Sequence, residues 1–166
     1  MPSASNTSNS SNIRSNTTLV NVSQQVGSRL VVTLSSSSYN SGDGIGVGDV
    51  IRYSVLSGKY VKSKADSSAN SEVFGIVERV NTDASLLVVT YGAITIPADK
   101  LINLGSEINY GGNDVYFLSD TTAGKLQNLP PTTLGNIVKP VYQIAPTTET
   151  TGVVMNYVGY TIINTA

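Results

Sequence analysis

Short apolar segments alternate with turns rich in Gly, Ser and Asn along most of this chain. The apolar segments are rich in Val, Ile and Tyr, which are the residue types that fit the pleated surface of a sheet. Short apolar runs bounded by turn residues are typical of strands rather than helices. The pattern predicts two groups of four strands, at 49–55, 59–64, 73–80 and 86–96, and at 114–118, 125–128, 136–144 and 153–163.

The two groups of predicted strands have similar sequences in the same order. The matched pairs are 49–54 with 114–119, 58–60 with 124–126, 75–80 with 135–141, and 91–96 with 158–163. This order indicates an internal duplication, with repeat units at about 48–96 and 113–163. We therefore expect an all-β fold, an eight-stranded barrel or sandwich built from two similar four-strand units.

The first 43 residues have a different character. Ser, Asn and Thr dominate residues 1–18, and two strand-like pieces follow at 19–22 and 30–34. The second piece is almost continuously apolar, which is typical of a strand buried on both faces. We expect an extended N-terminal arm at 1–43 ahead of a β-domain at 44–166, with the arm's strands paired either within the fold or across a subunit boundary. The candidate partner-binding residues are Ile13, Arg14, Leu19, Val20, Val22, Leu30, Val31, Val32 and Leu34.

Composition removes most catalytic chemistry. The chain has no His, Cys or Trp, so a Ser-His-Asp relay, a thiolate nucleophile and thiolate metal sites are all excluded. A net charge of −1 does not suit a protein that binds nucleic acid. No apolar run approaches the length of about 18 residues that a membrane helix needs. We therefore expect a non-enzymatic protein with no catalytic residues, no cofactor and no metal, and without a nucleic-acid or membrane partner.

Three further patterns have a structural and a functional interpretation. The glycine-rich run 42–49 lacks the spacing of a dinucleotide or phosphate loop, and Asp43 and Asp49 are too few for a calcium site. We expect Asp49 and Asp114 to cap turns ahead of equivalent strands.

The lysines of the second predicted strand indicate a charged edge, or else a contact with an acidic partner; they are Lys59, Lys62 and Lys64. The strand tyrosines indicate ordinary packing, or else a carbohydrate-binding face; they are Tyr53, Tyr60, Tyr91, Tyr116, Tyr142 and Tyr157.

The strongest family signal lies in two stretches. One is the run 115–126 (VYFLSDTTAGKL), with Pro130-Pro131 and the Val138-Lys139-Pro140-Val141 segment after it. The other is Gly48-Asp49-Val50 with the downstream segments 58–61 and 75–77. Together they resemble β-modules of tailed-bacteriophage virion proteins, particularly head-decoration (cement) and head-fibre proteins. The resemblance covers about 48–163 and implies a structural β-module, often a homotrimer, attached to a capsid or tail.

These observations lead to one expectation and one alternative. We expect a virion structural protein on the phage particle surface, a decoration or cement protein whose N-terminal arm binds the major capsid protein or another virion protein. The alternative is a fibre or receptor-binding module that recognises host glycans through exposed Tyr and Asn.

Overall fold

Strands make up almost all of the regular structure of this chain. The computed structural model describes residues 21–23, 29–96, 100, 115–144, 151–155 and 162–163. In chain order the strands are β1 (Asn21–Ser23), β2 (Arg29–Leu34), β3 (Val50–Ser54), β4 (Lys59–Lys62), β5 (Gly75–Val80), β6 (Leu86–Thr95), β7 (Val115–Leu118), β8 (Leu126–Gln127), β9 (Ile137–Val138), β10 (Pro140–Ile144), β11 (Thr151–Val154) and β12 (Ile162–Ile163). The all-β prediction is confirmed.

Ten of these strands form one antiparallel sheet. Eight of them make a curled half-barrel in the order β4-β3-β5-β6-β11-β10-β7-β8, and outside this order β2 pairs with β6 and β1 pairs with β2. The order is the same when it is followed inward from either end. In both halves a hairpin occupies the outside, the third strand lies next to the hairpin's first strand, and the fourth strand meets its counterpart at the centre. The central pair, β6 and β11, is antiparallel, as two copies related by a local two-fold axis must be. Two similar four-strand units therefore build the sheet, as the sequence predicts. The predicted fourth strand of the second unit, 153–163, and its match of 158–163 with 91–96 are wrong: the strand beside β6 is Thr151–Val154, and Ile162–Ile163 pairs with β9.

The equivalence of the third strands differs from the predicted match. In the first unit Ile76 of β5 pairs with Val50 of β3, and in the second Tyr142 of β10 pairs with Tyr116 of β7. Residues 75–80 therefore correspond to β10 rather than to 135–141. The predicted strand at 136–144 is divided because Pro140 cannot donate a backbone hydrogen bond, and the register of β10 against β7 shifts between Pro140 and Tyr142. β9 instead pairs with β12 in a separate two-stranded sheet.

The first unit is buried on both faces of its sheet. Neighbouring residues of one strand enter different core clusters, because successive side chains point to opposite faces. Val50 packs in the larger cluster, with Tyr116, Leu118 and the other inward-facing residues of the second unit, while Ile51 packs in a smaller cluster on the outer face. The same division separates Ile76 from Val77 and Val88 from Val89.

The smaller cluster is closed by the segment that precedes β3. Val32 and Leu34 of β2 lie in it, and so do Tyr39 and Ile45, which flank the 3₁₀ turn at Ser41–Asp43. Tyr39 also donates a hydrogen bond of 2.6 Å to the carbonyl of Ala84. Residues 29–45 are thus part of the folded β-structure, so the predicted boundary after residue 43 does not coincide with the edge of the packed core.

The two ends of the strand order approach each other at a seam. The residues that follow β4 bond to the turn between β7 and β8: Ser63 accepts from the amide of Gly124 at 2.7 Å, and Ala65 donates to Ser119 at 2.9 Å. The carbonyl of Gly124 also accepts from the amide of Val50 at 2.9 Å. These bonds fix the curvature of the sheet and enclose the larger core cluster.

Candidate interaction surface

The structure separates the sequence-predicted partner-binding residues into three groups. Ile13, Arg14, Leu19 and Val20 lie outside the described residues, and for Val22 only the backbone pairing with Val32 is described. Val32 and Leu34 are buried in this chain's own core, and Val31 packs against the larger cluster. Since β2 has β1 on one edge and β6 on the other, its backbone is paired within the fold. Strand addition through β2 is therefore not open to a partner, and of this strand only Leu30 offers an exposed apolar side chain.

Leu30 belongs to an uncharged row on the outer face of the sheet. It pairs with Tyr91 of β6, Ala93 is on the same face two residues further along, and Val153 of β11 pairs with Ala93. Tyr91 is 56% exposed and Val153 is 38% exposed. We call these four residues, Leu30, Tyr91, Ala93 and Val153, the apolar strip. It begins where the covered outer face of the first unit ends.

The local two-fold explains why this part of the face is open. Val153 of β11 and Val88 of β6 occupy equivalent positions in the two units. Val88 pairs with Val77 of β5, and Val153 pairs with Gln143 of β10, which is the equivalent third strand. Val88 is fully buried under the segment that carries Tyr39, whereas Val153 is not covered in this way by any described segment. The outer side chain is therefore buried at this position of β6 and exposed at the equivalent position of β11.

The β3–β4 hairpin carries a second exposed apolar group. Its turn places Val55 and Leu56 outward with exposures of 85% and 98%, and the outer side of Tyr53 is exposed beside them. We call Tyr53, Val55 and Leu56 the hairpin tip. The turn is well defined, because Gly58 has a left-handed φ of 64° and donates its amide to Ser54 at 2.8 Å. Beneath the tip, the rings of Tyr53 and Tyr60 meet edge to face at 5.4 Å.

A buried carboxylate lies at the seam between the two units. The Asp49 side chain is only 4% exposed and binds two lysines, Lys125 at 2.8 Å and Lys62 at 3.1 Å. Its Oδ2 atom also accepts the amide of Gly46 at 2.9 Å, which confirms the predicted turn cap. Because Lys62 belongs to the first unit and Lys125 to the second, the carboxylate joins the two units across the seam. Both of its oxygens accept from protein donors, so this arrangement is suited to holding structure together.

The other sequence motifs also have structural partners. Gly44 and Gly48 of the glycine-rich run have φ of 58° and 87°, as expected for an entry loop. Within the described ranges, no group of three acidic residues is placed to hold a metal ion, and no helix is long and apolar enough to cross a membrane. The three lysines at β4 each bind within the chain: Lys59 to the carbonyl of Ser37, Lys62 to Asp49, and Lys64 to Asp66 at 3.2 Å.

The tyrosines divide into packed and exposed groups. Tyr60, Tyr116 and Tyr142 are buried, as the packing interpretation predicts, and Tyr157 lies outside the described residues. Burial, together with the nearby Tyr116 hydroxyl, raises the pKa of Tyr142 to about 12. Burial also raises the pKa of Tyr60, with a smaller contribution from Tyr53. Only Tyr53 and Tyr91 present large exposed rings in the described part of the chain, one in the hairpin tip and one in the apolar strip.

Sequence reasoning missed the hairpin tip, although a signal for it was present. The turn 55–58 was predicted as a short glycine-containing loop, but its composition is unusual for an exposed turn, because it begins with two aliphatic residues and contains no charge. The apolar strip had no such signal. Its residues come from three strands that are distant in sequence, and only the sheet order brings them together.

The described part of the chain is an all-β half-barrel with two exposed uncharged groups of side chains. No protein-family model, curated protein or solved structure matches the chain.

Proposed function

We propose that this chain is a non-enzymatic virion structural protein, a decoration or cement protein that associates with itself on a phage head and stabilises the shell through added contact area. The observation that carries the proposal is the character of the exposed surface. The hairpin tip and the apolar strip present large uncharged side chains to solvent, while the titratable groups at the seam are paired with one another. Contiguous exposed apolar side chains favour a role in protein contact, and we take these two groups as candidate contact sites.

The fold supports the same role. Both faces of the first unit are packed, and the ends of the sheet are tied together at the seam, so the half-barrel resists deformation. A chain with a net charge of −1 can be placed on a shell in many adjacent copies with little mutual repulsion. In this proposal, residues preceding β2 reach neighbouring subunits of the major capsid protein, and the half-barrel stands on the particle surface.

Labelling of intact particles tests this role. Antibody raised against the purified protein, and visualised with gold, should label the heads of phage particles released from cells that carry the gene. A chain lacking residues 1–28 loses β1 but retains β2 and both core clusters, so it should fold and yet fail to bind emptied heads. Absence of the protein from purified particles would overturn the virion role, and full head binding by the shortened chain would overturn the role of the arm.

A receptor-binding module that recognises glycans is the second candidate. The exposed rings of Tyr53 and Tyr91 favour it, because an open aromatic face can stack on a sugar. Adhesion of the purified protein to host cells, lost in Tyr91→Ala and kept in Val80→Ala, would support this function. Val80 is a suitable control because it is an exposed apolar residue outside both surfaces. The decoration role predicts no adhesion by any of these proteins.

A further inference from the structure

Asp43 differs in its surroundings from the other aspartates in the described part of the chain. The side chains of those others accept hydrogen bonds or ion pairs from the protein: Asp49 from two lysines, Asp66 from Asn70 at 2.8 Å, Asp83 from the hydroxyl of Ser85 at 2.7 Å, and Asp120 from Asn136 at 2.9 Å. The side chain of Asp43 is exposed and forms no hydrogen bond or ion pair with any described residue. Its carboxyl group is therefore free to turn toward the main chain.

Gly44 follows Asp43, and the two form the only Asp-Gly pair in the sequence, which contains no Asn-Gly pair. Gly44 has a left-handed φ of 58°, and apart from its chain neighbours no atom lies within 4 Å of the position that a Cβ would take. Its amide donates to the carbonyl of Ser41 at 3.5 Å, a distance at which a hydrogen bond is weak. The amide nitrogen of Gly44 is thus unhindered and weakly bonded, next to a carboxyl group that has no partner.

We propose that Asp43 is a site of spontaneous isomerisation, at which aspartate converts to isoaspartate without an enzyme. The amide nitrogen of Gly44 attacks Cγ of the protonated Asp43 carboxyl group, a C–N bond forms, and one molecule of water leaves to give a succinimide ring. Because the two groups belong to neighbouring residues, the reaction is unimolecular. Water then opens the ring. Cleavage of the bond from nitrogen to Cγ restores aspartate, whereas cleavage of the bond from nitrogen to the main-chain carbonyl carbon gives isoaspartate, and neither outcome changes the mass of the chain.

The modification lengthens a turn whose two ends are fixed. Tyr39, before the turn, donates a hydrogen bond to the carbonyl of Ala84, and Ile45, after it, is buried in the smaller core cluster. Isoaspartate adds one carbon atom to the main chain between these two residues, so the turn must displace one of them to accommodate it. We expect the change to loosen the segment that covers the outer face of the first unit. This inference does not depend on the virion role.

Incubation of the purified full chain in warm neutral buffer, followed by peptide mapping with mass spectrometry, tests the site. The fragment that contains Asp43 should separate into two species of equal mass, and the species that an isoaspartyl methyltransferase labels should increase with time. Asp43→Glu should lose this species, because the larger ring that a glutamate would form closes much more slowly. A synthetic peptide of residues 40–47 carries the same Asp-Gly pair without the fold. Isomerisation of the peptide without isomerisation of the folded chain would overturn the proposal.

Asp66 and Asp83 are internal controls, because both are exposed aspartates whose carboxyl groups are engaged. They should remain unmodified over the same period. As much isoaspartate at either position as at Asp43 would show that the free carboxyl group and the following glycine do not select the site, and would refute the assignment.

Thermal unfolding measures the consequence for the fold. Chain enriched in isoaspartate should melt about 2–4 °C below fresh chain, a shift that corresponds to a modest loss of stability in a protein of this length. The Asp43→Glu protein, incubated in the same way, should keep its melting temperature. Equal melting temperatures for the isomerised and the fresh chain would refute the loosening of the cover.

Discussion

Removing residues 1–28 and removing residues 1–43 should have opposite effects on folding. The first truncation ends immediately before Arg29, which binds Glu78, and it leaves β2 intact. The second removes β2, which pairs with β6 along its whole length, together with the segment that carries Tyr39. It also uncovers the outer face of the first unit.

The stability lost on removing residues 29–43 can be worked out from the side chains that they bury. Val32, Leu34 and Tyr39 are all at least nine-tenths buried. Burying one such side chain contributes about 1.5–3 kcal/mol, so the three together contribute about 5–9 kcal/mol. This is comparable to the whole stability of many domains, which is about 5–15 kcal/mol. Loss of the backbone pairing between β2 and β6 lowers the free energy of unfolding further. We therefore expect the chain lacking 1–43 to be unfolded or aggregated at room temperature.

Urea titration followed by circular dichroism measures both effects. The chain lacking 1–28 should unfold in one cooperative transition with a slope close to that of the full chain, because the slope reports the surface exposed on unfolding. The chain lacking 1–43 should show no such transition. Leu34→Ala in the full chain offers a milder test and should cost about 2–5 kcal/mol. Cooperative unfolding of the chain lacking 1–43 near the midpoint of the full chain would refute the assignment of residues 29–43 to the core.

Three other substitutions or conditions test the packing. Gly152→Ala should lower the free energy of unfolding by about 1–3 kcal/mol in a urea titration, because its Cβ would lie 2.1 Å from the ring of Tyr142; the double variant with Tyr142→Leu should recover most of the loss, and a neutral effect of Gly152→Ala would contradict this contact. Asp49→Asn should cost about 1–3 kcal/mol because it removes the charge shared by two lysines at the seam, while the exposed Asp43→Asn should cost nothing measurable. The pKa of Tyr142 is raised on folding, so the neutral hydroxyl stabilises the folded state fully below the unfolded pKa of about 10, and this stability should be lost as the pH rises to about 12. Melting temperatures across this range should fall less steeply in Tyr142→Phe than in the natural chain. Parallel melting curves for the two proteins would argue against the raised pKa.

The strand positions could be predicted because the signal is local. The predicted strands 86–96 and 59–64 match β6 and β4 within two residues at each end, since alternation of side chains and turn residues are both properties of short segments. Pro140 lacks a backbone amide hydrogen, and the predicted strand 136–144 is accordingly divided there, with a register shift of β10 against β7. The continuous apolar character of 30–34 also indicated a strand covered on both faces, which holds for Val31, Val32 and Leu34 but not for the exposed Leu30.

The candidate site could be predicted only in part. The partner-binding residues were chosen as the apolar side chains of a polar arm, but Val32 and Leu34 are apolar because they fill this chain's own core. Whether an apolar strand packs on its own domain or on a neighbour depends on what lies opposite, and that information is not in the strand. The exposed Leu56 had a local signal in its uncharged turn, whereas Tyr91 is a strand residue with the same pattern as the buried Tyr116.

The sequence by itself determined the all-β class, the approximate strands, the two similar units and the absence of His and Cys chemistry, because propensity, turn geometry and residue inventory act over a few residues at a time. Only the tertiary structure decided which faces are covered. The first unit received the segment 29–45 on its outer face, whereas among the described residues no segment covers the equivalent positions around Val153, although the strands themselves are alike. Burial depends on contacts between residues far apart in the chain, so the same strand pattern produces a core in one unit and exposed apolar side chains in the other.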